Sequence, residues 1–266
     1  MNRKKTYIII CMMAATVLFL ITTDHIVTAI RENSREASLS AADINEADKI
    51  IDAFAKENGL TAEDYPEKIR KLLAKNPETE EFVLNYPLKK DLNEKYSLEE
   101  YINCDYIPHL MQWDLRWGYK KYAGDIMAFS GCGPVCLSMV AIYLTGDISF
   151  TPDYIADFAE KEGYTSENNG TSWLLMSEGA EKLGLISREL PLHKESIISA
   201  LRNHKPVILI MKPGDFTTEG HFIVLTEYDK EGFTVLDPNS EERSNKKWTY
   251  KRLENQINNI WCFSAE

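Results

Sequence analysis

The chain has 266 residues, 44% of them hydrophobic, and a formal net charge of −11. That length and composition support one good-sized core or two small ones. No basic stripe is present to neutralise phosphates, which excludes a nucleic-acid partner, and the excess acid is read as a solubility feature.

Met1-Asn2-Arg3-Lys4-Lys5 is a positive cluster, and residues 7–23 follow it without a charge. A basic end before a run of roughly seventeen uncharged residues reads as a signal peptide or a short membrane anchor. Val27-Thr28-Ala29 offers small residues for a cut, but Asp24 and His25 set it far from the apolar run, so an uncleaved anchor is favoured. Residues 1–23 are assigned to this segment, and the remainder of the chain is expected outside the cytoplasm. Residues 24–42 are polar and rich in Ala and Ser, and read as a linker.

Residues 43–103 read as a helical arm. Ala47, Ile50, Ile51 and Phe54 recur at helical spacing over 45–58, and Gly59 ends that run. A second helix is expected from Pro66 to Asn76-Pro77, and a third over 78–86 with Phe82, Val83 and Tyr86 on one side. The arm is expected to be a packing or inhibitory segment without chemistry.

Residues 104–266 read as a compact domain. Helices are expected at 133–145, 152–162, 173–183 and 194–204. Strands follow at 206–211, 221–228 and 232–236, then a helix at 249–257 and a strand at 259–264. Helices first, then mostly antiparallel strands, is the pattern of an α+β fold. Val207-Ile208-Leu209-Ile210 shows no alternation and should be covered on both faces.

Five cysteines are present: Cys11, Cys104, Cys132, Cys136 and Cys262. Neither C-x-x-C nor H-E-x-x-H occurs, so no zinc site and no cofactor is expected. A working Cys132 must stay reduced, which leaves at most one bridge; Cys104–Cys262 is a disfavoured option for it.

Cys132 opens an apolar helical stretch. Unpaired N–H groups and the macrodipole at a helix start favour a thiolate there. Pro134 suits the first turn, where its missing N–H costs nothing. Gly131 and Gly133 flank the sulfur and are expected to let a substrate backbone approach. The Cys132 N–H could then face a developing oxyanion. Cys136, one turn on, is expected in the core. Downstream, His221 opens one apolar run and Asp237-Pro238-Asn239 closes the next, with Asp229-Lys230-Glu231-Gly232 as the turn between them. Folding about that turn brings His221 beside residues 237–240. Asp237 is the first choice to orient the imidazole, and Asn239 the alternative. His109 lies just upstream of Gln112, at most at the border of the site, and is assigned no role.

Several separated motifs carry a resemblance. Ile107-Pro108-His109-Leu110-Met111-Gln112-Trp113, Ser130-Gly131-Cys132-Gly133-Pro134, Gly170-Thr171-Ser172-Trp173, Gly220-His221-Phe222-Ile223-Val224-Leu225 and Asp237-Pro238-Asn239-Ser240 resemble the stand-alone branch of the bacteriocin-leader, or double-glycine, processing cysteine peptidases. Asn76-Pro77-Glu78-Thr79 with Phe82-Val83 looks like the helical arm that precedes such domains in Gram-positive bacteria. The resemblance implies a papain-like fold with Cys132 as nucleophile, His221 as base and Asp237 as orienter. The transporter-fused branch has an oxyanion glutamine six residues before the cysteine. Here that position is Ile126, and Gln112 is the expected substitute. No ATP-binding motif occurs in these residues, so no exporter module is read in them.

The expected function is an extracytoplasmic cysteine peptidase acting on a peptide or cell-wall peptide, with a membrane partner through residues 1–23 and an open oligomeric state. The rivals are a silent binding module of the same fold and a peptidoglycan amidase or transpeptidase.

Overall fold

The computed structural model describes residues 40–92, 94–166 and 170–265. The expected anchor, cut position and most of the linker lie outside them. No helix among the described residues is long and apolar enough to cross a membrane. The chain divides into two units, 1–43 and 44–266. In the first, the described residues 40–43 begin helix α1 (Ala41–Glu57). Ser40 and Asp43 cap that start reciprocally: each backbone N–H meets the other's side chain at 3.1 Å.

The second unit begins inside α1 and adds α2 (Glu67–Lys75) and α3 (Glu80–Lys89), joined by a tight 3-10 turn at Pro77–Thr79. Ala47, Ile51, Ile69, Leu73, Phe82 and Val83 form their shared core. Tyr119 and Ala128, from further along the chain, complete it. Tyr119 stacks on Phe82 with centroids 4.3 Å apart and donates its hydroxyl to the Phe82 carbonyl at 2.7 Å.

A small hairpin of β1 (Lys121–Tyr122) and β2 (Asp125–Ile126) leads into α4 (Met127–Ser130) and then α5 (Cys132–Thr145). Leu137, Met139, Val140 and Ile142 make α5 apolar all round, as a helix sunk in a core must be. Each such side chain contributes about 1.5–3 kcal/mol when fully buried. Gly146 ends the helix at φ 69°, a left-handed position. α6 (Pro152–Lys161) follows, capped by Thr151 with Pro152 in its first turn.

Next come a two-residue pair, β3 (Thr165–Ser166) and β4 (Gly170–Thr171), then α7 (Glu178–Lys182), β5 (Leu185–Glu189) and α8 (Lys194–Arg202). The remaining elements are β6 (Val207–Met211), β7 (His221–Tyr228), β8 (Phe233–Leu236), α9 (Glu241–Ser244), β9 (Lys247–Trp248), α10 (Tyr250–Leu253) and β10 (Ile257–Ala265). Six strands form one antiparallel sheet in the order β5-β10-β6-β7-β8-β9. The arrangement is α+β. β6 is buried at every residue: Ile208 and Ile210 join the α5 side, while Val207, Leu209 and Met211 join the α8 side.

Three expectations for the elements change. Residues 173–183 form a 3-10 turn at Trp173–Met176 and then the short α7, not one helix. The helix expected at 249–257 is only α10, because Ile257 already pairs with Met211 in the sheet. β5 was not anticipated: its edge position leaves Ile186, Arg188 and Glu189 outward, so it lacks a long apolar run. The disfavoured Cys104–Cys262 bridge is absent, since Cys104, Cys132, Cys136 and Cys262 are all free.

Candidate active site

Cys132 is the first residue of α5 and remains partly exposed, while the ten residues from Gly133 to Ile142 are buried. The flanking glycines are required by the protein's own packing. A Cβ on Gly133 would lie 2.5–2.7 Å from the Thr171 side chain, and one on Gly131 would lie 2.6 Å from the Met127 carbonyl. The Thr171 hydroxyl is itself held by the Tyr122 hydroxyl at 2.8 Å. Cys136 is fully buried, and burial pushes its thiol well above the ordinary value.

His221 opens β7 on the strand next to β6, opposite Met211. The β7–β8 ladder pairs Val224 with Leu236 and Leu225 with Val235. Continuing that antiparallel course carries the chain beyond Leu236 back toward His221. There the His221 Nε2 meets Asp237 Oδ1 at 2.7 Å, with the imidazole 6% exposed and the carboxylate fully buried. Nε2 is thereby committed to the acid, which leaves Nδ1 as the ring nitrogen for the sulfur. The Cys132 thiol and the His221 ring lie close enough to shift each other's ionisation.

The electrostatics follow from that series. Burial opposes ionisation of Cys132 most strongly. The hydrogen bond and charge of His221, followed by the backbone N–H groups of Phe222 and Gly133, outweigh it and lower the thiol below its ordinary value. Burial likewise opposes a charged His221. The charge and hydrogen bond of Asp237, with those of Cys132, raise the imidazole to about 10. Asp237 feels the strongest burial penalty against its charge, yet His221 and then Arg243 bring it down to about 2. The three shifts run in the same sense: each favours the charged form of its group, the thiolate beside the imidazolium and the imidazolium beside the carboxylate.

The second oxygen of Asp237 accepts from Arg243 Nε at 2.5 Å. Arg243 was missed from sequence. The available signal was Asn239-Ser240 before a charged run, which starts a helix: Ser240 Oγ caps the Arg243 N–H at 3.1 Å, and one turn of α9 returns Arg243 to the acid. Asn239 does not meet the imidazole. Its backbone N–H donates to Asp237 Oδ1 at 2.8 Å, and its Oδ1 is buried without a partner.

His109, assigned no role from sequence, reaches the same loop. Its Nε2 is 2.9 Å from the Asp237 carbonyl and 3.2 Å from Ser244 Oγ. A carbonyl only accepts, so the proton sits on Nε2. Ser244 Oγ donates to the Ser240 carbonyl at 2.7 Å and accepts the Asp237 N–H at 2.9 Å. Gln112 is 4% exposed. Its backbone N–H donates to the Pro238 carbonyl at 2.7 Å, and its Nε2 donates to the Ala128 carbonyl at 2.7 Å. Its Oε1 is buried without a partner. The residue thus bridges the Asp237 loop and the lead-in to α5, four residues short of Cys132. Ile126, six residues before Cys132, is half-buried on β2 and packs against the arm's core.

Solved structures similar to the chain include the following three. The peptidase domain of Streptococcus ComA, a bi-functional ABC transporter involved in quorum sensing, is 19% identical, with 52% of this chain and 93% of that one covered and a TM-score of 0.42. A double glycine motif protease from an AMS/PCAT transporter, in complex with the leader peptide, is 15% identical over 62% and 97%, at 0.39. A C39-like peptidase from Bacillus anthracis is 16% identical over 65% and 98%, at 0.35. No curated protein matches the chain. The family model described as the Peptidase C39 like family matches residues 104–263, more than half of the sequence, so membership rests on that match rather than on the structural likenesses. The chain belongs to the Peptidase C39 like family.

Proposed function

We propose that this chain is a cysteine peptidase of the stand-alone branch that cleaves a peptide amide bond outside the cytoplasm. The observation that carries the reading is the buried His221–Asp237 pair at 2.7 Å, with the Cys132 thiol close enough to the ring to interact with its charge. The Cys132 thiolate attacks the carbonyl carbon of the scissile amide. The imidazolium of His221 protonates the departing amine, leaving an acyl thioester. His221, now neutral, takes a proton from water as it attacks the thioester, and the acid product leaves with the thiolate and imidazolium restored. Asp237 keeps the imidazole in one tautomer and stabilises its charged form.

The oxyanion is stabilised by the Cys132 backbone N–H at the start of α5, with Gln112 as the candidate second donor. One N–H of the Gln112 amide is engaged by Ala128 and the second is the group this role requires. Placement outside the cytoplasm is supported by the uncharged run at 7–23 behind its positive cluster.

The test is hydrolysis of a panel of peptides and muropeptides by the full chain and by Cys132→Ala. The variant is expected to lose at least about 1,000-fold in kcat/KM with its melting temperature retained. Undiminished turnover by the variant would end the proposal. A wild-type chain that binds the panel but neither cleaves it nor forms an adduct at Cys132 would establish the silent binding module instead.

A further inference from the structure

The arm was expected to carry no chemistry, yet Asn76-Pro77-Glu78 reaches the loop that bears Asp237. The Asn76 side chain uses both ends of its amide. Its Oδ1 accepts the Glu78 N–H at 3.2 Å, and its Nδ2 donates to the Asn239 carbonyl at 2.8 Å. The Glu78 carboxylate accepts the N–H groups of Glu241 at 3.1 Å and Glu242 at 2.6 Å, one on each oxygen. It therefore caps α9 from outside, although Glu241 and Glu242 carry its own sign of charge. Pro77 fixes the turn that presents both residues.

The loop is otherwise held from the 109–113 segment. His109 holds the Asp237 carbonyl, the Gln112 N–H holds that of Pro238, and Trp113 Nε1 shares the Asn239 carbonyl at 3.4 Å. α9 carries Arg243 onto the Asp237 carboxylate. A continuous series therefore runs from Glu78 through α9 and Arg243 to Asp237, His221 and Cys132. The arm also packs on Ala128 and Phe129, in the segment just ahead of Cys132.

We infer that Asn76 and Glu78 are positioning residues for the proposed peptidase reaction, holding the loop of the triad acid against His221. This inference rests on the cysteine-peptidase reading above. It makes the arm part of the working enzyme, so that releasing the arm from this loop would weaken catalysis rather than uncover the cleft.

The test is the pH dependence of iodoacetamide alkylation at Cys132 in the full chain, read by mass spectrometry. It compares wild type with Glu78→Ala, Glu78→Gln and Asn76→Ala, and records melting temperatures beside it. A misplaced acid stabilises the imidazolium less, so the thiol is less depressed. Glu78→Ala and Asn76→Ala are expected to shift the alkylation midpoint to higher pH and slow the reaction about 10-fold at about pH 6. Glu78→Gln keeps one accepting oxygen and should restore part of the wild-type profile. A role in packing alone would lower the melting temperature without moving the midpoint. Folded variants with the wild-type midpoint would overturn the inference while leaving the peptidase reading intact. If Glu78→Ala does not fold, Glu78→Gln and Asn76→Ala decide by the same criterion. A wild-type Cys132 that alkylates as an ordinary thiol would overturn the peptidase reading and this inference with it.

Discussion

Asp237 sits between two cations, and this sets what its substitution should do. His221 takes one oxygen at 2.7 Å and Arg243 the other at 2.5 Å, within a fully buried carboxylate. Asp237→Asn keeps an acceptor for the ring but removes the charge. The imidazole should then fall back toward its ordinary 6.5, and the alkaline limb of the activity profile should move to lower pH. A profile unchanged on that limb would show that Asp237 does not charge the ring. The same change strands Arg243, which keeps only 23% side-chain exposure, beside a neutral partner. Removing one partner of a buried pair costs about 3–5 kcal/mol, and the residual exposure of Arg243 places this case at the lower end. Adding Arg243→Leu to Asp237→Asn should recover part of the lost melting temperature, because no charge then remains unpaired. Both variants are read by thermal unfolding at constant pH, and a double variant less stable than the single one would show that stranded charge is not the cause.

The elements divide by how their signals arise. α5 and the β6–β7–β8 group were legible because an uninterrupted apolar run or a turn between two apolar runs marks each one. His221 and Asp237 came with them, since a hairpin's register is local. The short pieces were not legible. β5 is a short edge strand with only one buried residue, and α9 spans only Glu241–Ser244, too brief for a periodic signal. Arg243, Glu78, Asn76 and His109 escaped for a related reason: each acts on a backbone group or charge brought to it by tertiary folding or by that short helix, and Asn76 lies 163 residues from its partner Asn239. The glycines beside Cys132 were visible, but their reason was tertiary. Gly133→Ala should lower stability by about 1–3 kcal/mol, because its Cβ would overlap Thr171, whose own Cβ lies 2.7 Å away and cannot swing aside. Thermal unfolding checks this, and a melting temperature equal to wild type would contradict the packing role.

Across the described residues of the second unit, the same buried series ties stability to pH. Asp237 is lowered from 3.8 to about 2, so its contribution is present above 3.8 and is lost as pH falls through about 2. His221 is raised from 6.5 to about 10, so its contribution is full below 6.5 and is lost as pH rises through about 10. Wild type should therefore gain stability over His221→Ala most clearly between about pH 4 and 6.5 and lose that advantage in alkali. Melting curves of the two chains across pH check it, and an advantage that grows above pH 10 would have the wrong sign. The function proposed for this fold depends first on the coupling of sulfur to ring, and alkylation of Cys132 by iodoacetamide across pH reads it without knowledge of the substrate. Wild type should react well below the ordinary thiol range of about 8.5, and His221→Ala should return the midpoint to that range. Identical midpoints near 8.5 in both chains would refute the coupling.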